Sequence, residues 1–199
     1  MTIYLIRHGE TDWNQENRMQ GQTDIGLNAL GVKQAKSIAN GLPSAIDAIV
    51  SSDLSRALDT ARAIASTHAV TIEVDSSLRE IHLGSWEGKT WQEIKANHLD
   101  SRGFPPSDAP HGGESLSAFF ERSHTAFQNI VDRYRGRDVA IVTHGGVIKM
   151  ILCGIQGIPI EQREHLVVDN ASITVITAAQ EEHHFVIVRQ NDTAHWRED

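Results

Sequence analysis

Residues 1–14 read MTIYLIRHGETDWN, and the fold follows from how this stretch divides. Thr2 to Ile6 is β-branched and apolar, long enough for a buried strand and too short for a helix. The chain then turns abruptly polar, Arg7-His8-Gly9-Glu10-Thr11. In open α/β sheets ligands bind just beyond the carboxyl ends of strands. An Arg and a His directly after a strand, followed by a Gly that frees the backbone, suit an anion site.

The pattern recurs twice. Residues 47–50 form a short apolar run that leads into Ser51-Ser52-Asp53-Leu54-Ser55-Arg56, and residues 139–142 form another that leads into Thr143-His144-Gly145-Gly146. If these strands are parallel neighbours, Arg7, His8, Arg56 and His144 converge on one edge of the sheet. That convergence is the central expectation.

Composition narrows the ligand. The chain has 199 residues, which predicts one domain spanning 1–199 with a small lid-like insertion at about 90–113. Its net charge of −8 gives no electrostatic support to nucleic acid or an anionic membrane as a partner. The four basic groups are a local exception in an acidic chain, so a small anion is the expected ligand, bound by a monomer or homodimer. Cys153 is the only cysteine and lies in an apolar run, which excludes an intrachain disulfide and predicts core packing. No run approaches the ~18 apolar residues of a membrane span, and the first residues lack a basic and apolar leader. A cytoplasmic enzyme is expected.

Strands alternating with helices predict an α/β sandwich. Helices are expected over residues 28–42 with Asn28 as N-cap, 53–67, 90–98 with a Thr90/Glu93 capping box, 114–134, and 145–154. A third strand is expected at 70–74, and residues 172–178 and 184–189 read as a terminal hairpin with an acidic turn, which makes the sheet mixed. Residues 100–113, rich in Pro and Gly, form the one candidate lid or specificity loop. Trp13, Ile25, Trp86, Trp91 and Phe104 are of the right type to line an apolar pocket mouth, although aromatics at this density usually serve packing.

The chemistry is argued from residue types. The 11 histidines invite a metal reading, with His8-x-Glu10-x-Asp12 and His183-His184 as the best candidates, yet no HExxH, CxxC or His-x-His occurs. His82 and His124 are expected to be structural. His8 differs: if one ring nitrogen donates its proton to a carbonyl, the other is free to attack. Arg7 and Arg56 offer forked N–H donors that match phosphoryl oxygens, His144 adds a donor when protonated, and the helix after Gly145 presents backbone N–H groups. Positioning and charge stabilisation are what a phosphoryl transition state needs. Glu80, after the third strand, is the best-placed carboxylate for a general acid.

These residues resemble the signature of the histidine phosphatase superfamily, the phosphoglycerate mutase-like proteins. Arg7-His8-Gly9-Glu10-Thr11 with Trp13-Asn14 is followed in register by Gln20-Gly21 to Leu27, Ser51-Ser52-Asp53 with Arg56-Ala57 and Thr60-Ala61, Leu78-Arg79-Glu80 to Gly88, Gly113-Glu114-Ser115, and Thr143-His144-Gly145-Gly146. The resemblance implies a three-layer α/β/α sandwich with a mostly parallel mixed sheet, and no metal or other cofactor. It implies a phosphohistidine on His8, phosphoryl oxygens held by Arg7, Arg56 and His144, and a pocket completed by Asn14, Gln20, Gly21 and the Gly145 amide. Glu80 would protonate the leaving oxygen and then activate water. The roles of Asn14, Gln20 and Gly21 come from the resemblance alone.

The run from Glu80 to Thr90 is most similar to the bacterial branch of broad-specificity and α-ribazole phosphatases. A metal-independent phosphomonoesterase acting on small phosphorylated metabolites is therefore the leading expectation. A cofactor-dependent phosphoglycerate mutase is the alternative. A catalytically idle binding module and a metal-dependent hydrolase are the remaining readings.

Overall fold

The computed structural model describes residues 1–98, 112–178 and 185–196. Six strands form one sheet: β1 (Thr2–Arg7), β2 (Ala48–Ser51), β3 (Ile72–Val74), β4 (Val139–Thr143), β5 (Ile173–Ala178) and β6 (Phe185–Asp192), in the order β3-β2-β4-β1-β5-β6. β3, β2, β4 and β1 are mutually parallel, and β5, antiparallel to both β1 and β6, is the one strand of reversed direction in this sheet. The mostly parallel mixed sheet expected from the sequence is present.

The side-chain period of two sorts each strand onto two cores. Ile3, Leu5, Ala48, Val50, Val139 and Ile141 pack on one face, under Phe119, Phe127 and Ile130 of helix α5 (Leu116–Arg133) and Ile148, Ile151 and Cys153 of α6 (Gly145–Gln156). Tyr4, Ile6, Ile49, Ala140 and Val142 pack on the other, under Ile38 of α2 (Ala29–Gly41) and Ala57, Ala61 and Ile64 of α3 (Ser55–His68). This is a three-layer α/β/α arrangement. Two smaller helices, α1 (Asp12–Gln15) and α4 (Trp91–His98), stand outside the layers' main packing.

The helix caps follow local chemistry. The Asn28 side chain accepts from the Gly31 amide, and Thr90 and Glu93 exchange side-chain and backbone bonds ahead of α4. The third strand begins at Ile72, the fifth helix at Leu116, and α6 runs on to Gln156, where Gly157 at φ 66° closes it. The last strand reaches Asp192, beyond its expected end. Cys153 is buried in the core, and burial pushes its thiol up. His124 packs against Phe120 with ring centroids 5.4 Å apart. The candidate lid falls on residues that include 99–111, and the acidic turn and His183-His184 on 179–184; Phe104 and these lie outside the described residues. Among the described residues no helix is long and apolar enough to cross a membrane.

Candidate active site

Arg7 pairs with Thr143, and Ser51 with Val142, so β1, β2 and β4 end at one edge. The expected convergence follows from that register. His8 lies one residue past β1, Ser52 one past β2, and His144 one past β4. The His8 and His144 rings meet edge to face, with centroids 5.2 Å apart.

His8 is buried, and its Nδ1 lies 2.6 Å from the Gly9 carbonyl. A carbonyl only accepts, so Nδ1 carries the proton and Nε2 keeps its lone pair. Burial, then the charges of Arg56 and Arg7, hold the imidazole pKa well below its ordinary value. The ring is therefore neutral near pH 7, the state in which nitrogen attacks.

Arg56 sits in the first turn of α3 with its side chain fully buried. Its terminal nitrogens donate to the carbonyls of Gly21 at 2.8 Å and Thr23 at 2.9 Å. Burial lowers its pKa to about 10, which leaves the guanidinium charged at neutral pH. Its Nε faces His144 Nδ1 at 3.3 Å. A guanidinium only donates, so this nitrogen of His144 accepts and the other, Nε2, donates to Ser52 Oγ at 2.9 Å. Burial and Arg56 keep His144 neutral. His144, expected to add a donor when protonated, here carries one proton, on Nε2.

Arg7 donates to the Val168 carbonyl at 2.6 Å, while its buried Nε has no partner among the described residues. Oε1 of buried Gln20 is likewise without one. Each such group is costly unless something hydrogen-bonds it. Gly145 lies against Arg7: a Cβ there would be 3.4 Å from Arg7 Nε. Glu80 receives the Gly146 amide on Oε2 and the Ile81 amide on Oε1, both at 2.9 Å. Its charge is felt by both Arg7 and Arg56. Arg7, His8, Arg56, Glu80, His144 and Gly145 are therefore brought together.

Asn14 and Gly21 are tied to this cluster, Asn14 through Asn170 and Gly21 through Arg56. Asn14 closes a capping box with Thr11 at the start of α1 and accepts from Asn170 at 3.1 Å. Gly21 has φ 54° and its Cα faces Glu87, which accepts from Gln22, Thr23 and Leu83 and braces this loop. Burial raises the Glu87 pKa, but those hydrogen bonds outweigh it and hold the carboxyl below its usual range.

Several groups were not singled out from sequence. Asn170 donates to the carbonyls of His8 and Gly9, and Thr60 receives the Gly9 amide. Thr60 appeared only inside the motif match, and Asn170 carries no local signal. Glu10, offered as a metal ligand, accepts from Asn28 at 2.9 Å, and Asp12 is exposed in α1. Among the described residues no group of three or more His, Cys, Asp or Glu is placed to hold a metal. Trp13 packs on Gly88, and Trp86 meets Trp91 edge to face, which is packing within the walls.

Residues 3–193 match the family model of the histidine phosphatase superfamily, branch 1. The chain belongs to that superfamily. It is 42% identical over 158 residues to the metal-independent phosphoserine phosphatase of Arabidopsis thaliana, covering 75% of this chain and 66% of that one. It is 30% identical over 209 residues to a probable phosphoglycerate mutase, GpmB, of Yersinia pestis, covering 98% and 94%. The structure of mycobacterial glucosyl-3-phosphoglycerate phosphatase with VO3 superposes with a TM-score of 0.84 at 34% identity, covering 96% of this chain and 99% of that one.

Proposed function

We propose that this chain is a metal-independent phosphomonoesterase that works through a phosphohistidine on His8 and acts on small phosphorylated metabolites. The observation that carries the reading is the Nδ1–Gly9 hydrogen bond, which leaves a neutral imidazole with Nε2 free beside buried Arg56 and half-buried Arg7. The phosphatase names among the relatives support it.

Nε2 of His8 attacks phosphorus and the ester oxygen departs, taking a proton from Glu80. Water then attacks the phosphohistidine, gives its proton to Glu80, and phosphate leaves with Nε2 restored. Arg7 and Arg56 hold the phosphoryl oxygens. His144 would assist by turning its Nε2 proton from Ser52 Oγ to a phosphoryl oxygen, with Asn14, Gln20, Gly21 and the Gly145 amide completing the pocket. The unpartnered Nε of Arg7 and Oε1 of Gln20 support this placement, since Arg7 gains an acceptor and the Gln20 amide can turn to donate. The reading takes residues 1–199 as one catalytic domain in the cytoplasm, with the phosphate ester as its only required partner.

The GpmB likeness keeps a mutase in view. The deciding experiment supplies 3-phosphoglycerate with a trace of 2,3-bisphosphoglycerate and follows 2-phosphoglycerate and free phosphate together. Phosphate release should dominate, because a mutase must shield its phosphoenzyme from water. Isomerisation outrunning phosphate release would replace this reading with the mutase.

A further inference from the structure

The carbonyls from Ser77 to Glu80 lie in and just after a short 3-10 turn, Ser76–Leu78, and are met by side chains from distant elements. Leu78 is bonded by the Thr143 hydroxyl of β4 at 2.7 Å. Ser77, Arg79 and Glu80 are all bonded by one residue of α5, Arg122, at 2.7, 2.8 and 3.3 Å. The remaining donors of Arg122 go to Glu114, Nε to Oε1 at 2.9 Å and Nη2 to Oε2 at 2.7 Å. All five N–H donors of the guanidinium are thereby used.

The guanidinium is also held from below, 5.1 Å from the centroid of the buried Phe119 ring one turn earlier. Glu114 in turn reaches the far side of Glu80, its amide donating to the His82 carbonyl at 2.8 Å and its carboxylate accepting from the His82 amide. Two side chains thus bracket Glu80 in the chain. An Arg on an amphipathic helix normally extends into water. This one spends every donor on the backbone that carries the acid and on the carboxylate that orients it.

We infer that Arg122, held by Glu114, is a positioning residue that sets the reach of Glu80 toward the leaving oxygen. The inference rests on the proposed role of Glu80 as general acid. A displacement of about 1 Å in a catalytic group can cost ~10²-fold in rate, so an anchor on that group's own carbonyl bears directly on the chemistry. A Lys in its place has three donors and no plane to lie over Phe119, so Arg122→Lys cannot restore the arrangement.

The test measures kcat/KM, which reports steps up to phosphoryl transfer, on an alkyl phosphate and on p-nitrophenyl phosphate. It compares wild type, Arg122→Ala, Arg122→Lys and Glu114→Gln, each with Glu80 and with Glu80→Gln. Arg122→Ala and Arg122→Lys should lose about 10–100-fold on the alkyl ester and under about 3-fold on p-nitrophenyl phosphate, whose good leaving group needs little acid. Glu114→Gln should show the same pattern, smaller, and serves if Arg122→Ala does not fold. In the Glu80→Gln background the Arg122 losses should shrink to under about 3-fold, because residues acting as a unit are not additive. Equal losses on both esters, or losses that persist with Glu80→Gln, would overturn the positioning role and leave Arg122 structural. A wild type that forms no phosphohistidine, or a Glu80→Gln that treats both esters alike, would bring down the phosphatase mechanism itself.

Discussion

His8 and Glu80 stand on segments held in different ways. The loop after β1 is held by close backbone bonds and by the short polar side chains of Thr60, Gln34 and Asn170. The His8 amide donates to the Thr143 carbonyl, the Ala171 amide donates to the His8 carbonyl, and the Asn28 amide donates to that of Glu10. Gly9 and Gly31 lie so close that a Cβ on either would meet backbone atoms within 2.4 Å. The segment that bears Glu80 is held by side chains, chiefly Arg122, Thr143 and Gln22. The proposed nucleophile is thus placed by the sheet together with short polar side chains, and the proposed acid chiefly by the long reach of Arg122. Loss of the Arg122 side chain should disturb Glu80 far more than His8.

The largest expected effect breaks the first region at its reactive atom. His8→Ala should lower turnover by on the order of 10⁴-fold or more while the fold survives, as removal of a nucleophile does elsewhere. Circular dichroism and acid-labile phosphate on the protein check both halves. Residual activity near wild type would remove the phosphohistidine.

Two alanine substitutions sharpen the contrast. A Cβ on Gly146 would sit 2.1 Å from Glu80 Oε1, the movable end of a side chain. Gly146→Ala should therefore push the acid aside, with about 10²–10⁴-fold loss in kcat/KM on alkyl phosphates and little change in melting temperature. A Cβ on Gly31 would sit 2.0 Å from the Glu10 carbonyl, which is backbone. Gly31→Ala should cost about 1–3 kcal/mol of stability, as overpacking does. The reverse pattern, rate lost at Gly31 and stability at Gly146, would refute the distinction.

The smallest effect is electrostatic. Burial, then Arg56 and Arg7, depress the His8 pKa below its ordinary 6.5. The unfolded chain then binds more protons than the folded one below that pH, so stability falls as pH is lowered. Each such histidine contributes up to about 1.4 kcal/mol per pH unit. Denaturant titrations should give His8→Ala a shallower loss than wild type between neutral pH and pH 5. Equal slopes would mean that His8 is not held neutral.

The difference between the regions also decides what the sequence made legible. Apolar runs ending in Arg-His-Gly, Ser-Ser-Asp and Thr-His-Gly-Gly identify strand ends, and parallel pairing brings Arg7, His8 and His144 together from local pattern alone. Glu80 was found by its place after β3. Its supports were not. Arg122 looks like any polar position on an amphipathic helix, and nothing near it in sequence says that its donors reach residues 42–45 positions earlier. Asn170 acts across 162 positions on the His8 carbonyl for the same reason. The neutral state of His144 depends on its burial and then on the charge of Arg56 beside it, geometric facts beyond residue type.

The reversed direction of β5 has a consequence in time. Because it runs against β1, its beginning lies at the catalytic edge, where Val168 receives Arg7, the Ser172 carbonyl receives the Arg7 amide, and Ala171 and Asn170 bond His8. On the ribosome Arg7 and His8 precede these partners by some 160 positions. A nascent chain stopped before Val168 carries Arg7, His8, Arg56, Glu80 and His144, yet lacks the partners that seat Arg7 and His8. β1, inside the sheet, is translated before both strands that flank it, and assembly of this centre waits on contacts of long sequence separation, which close slowly.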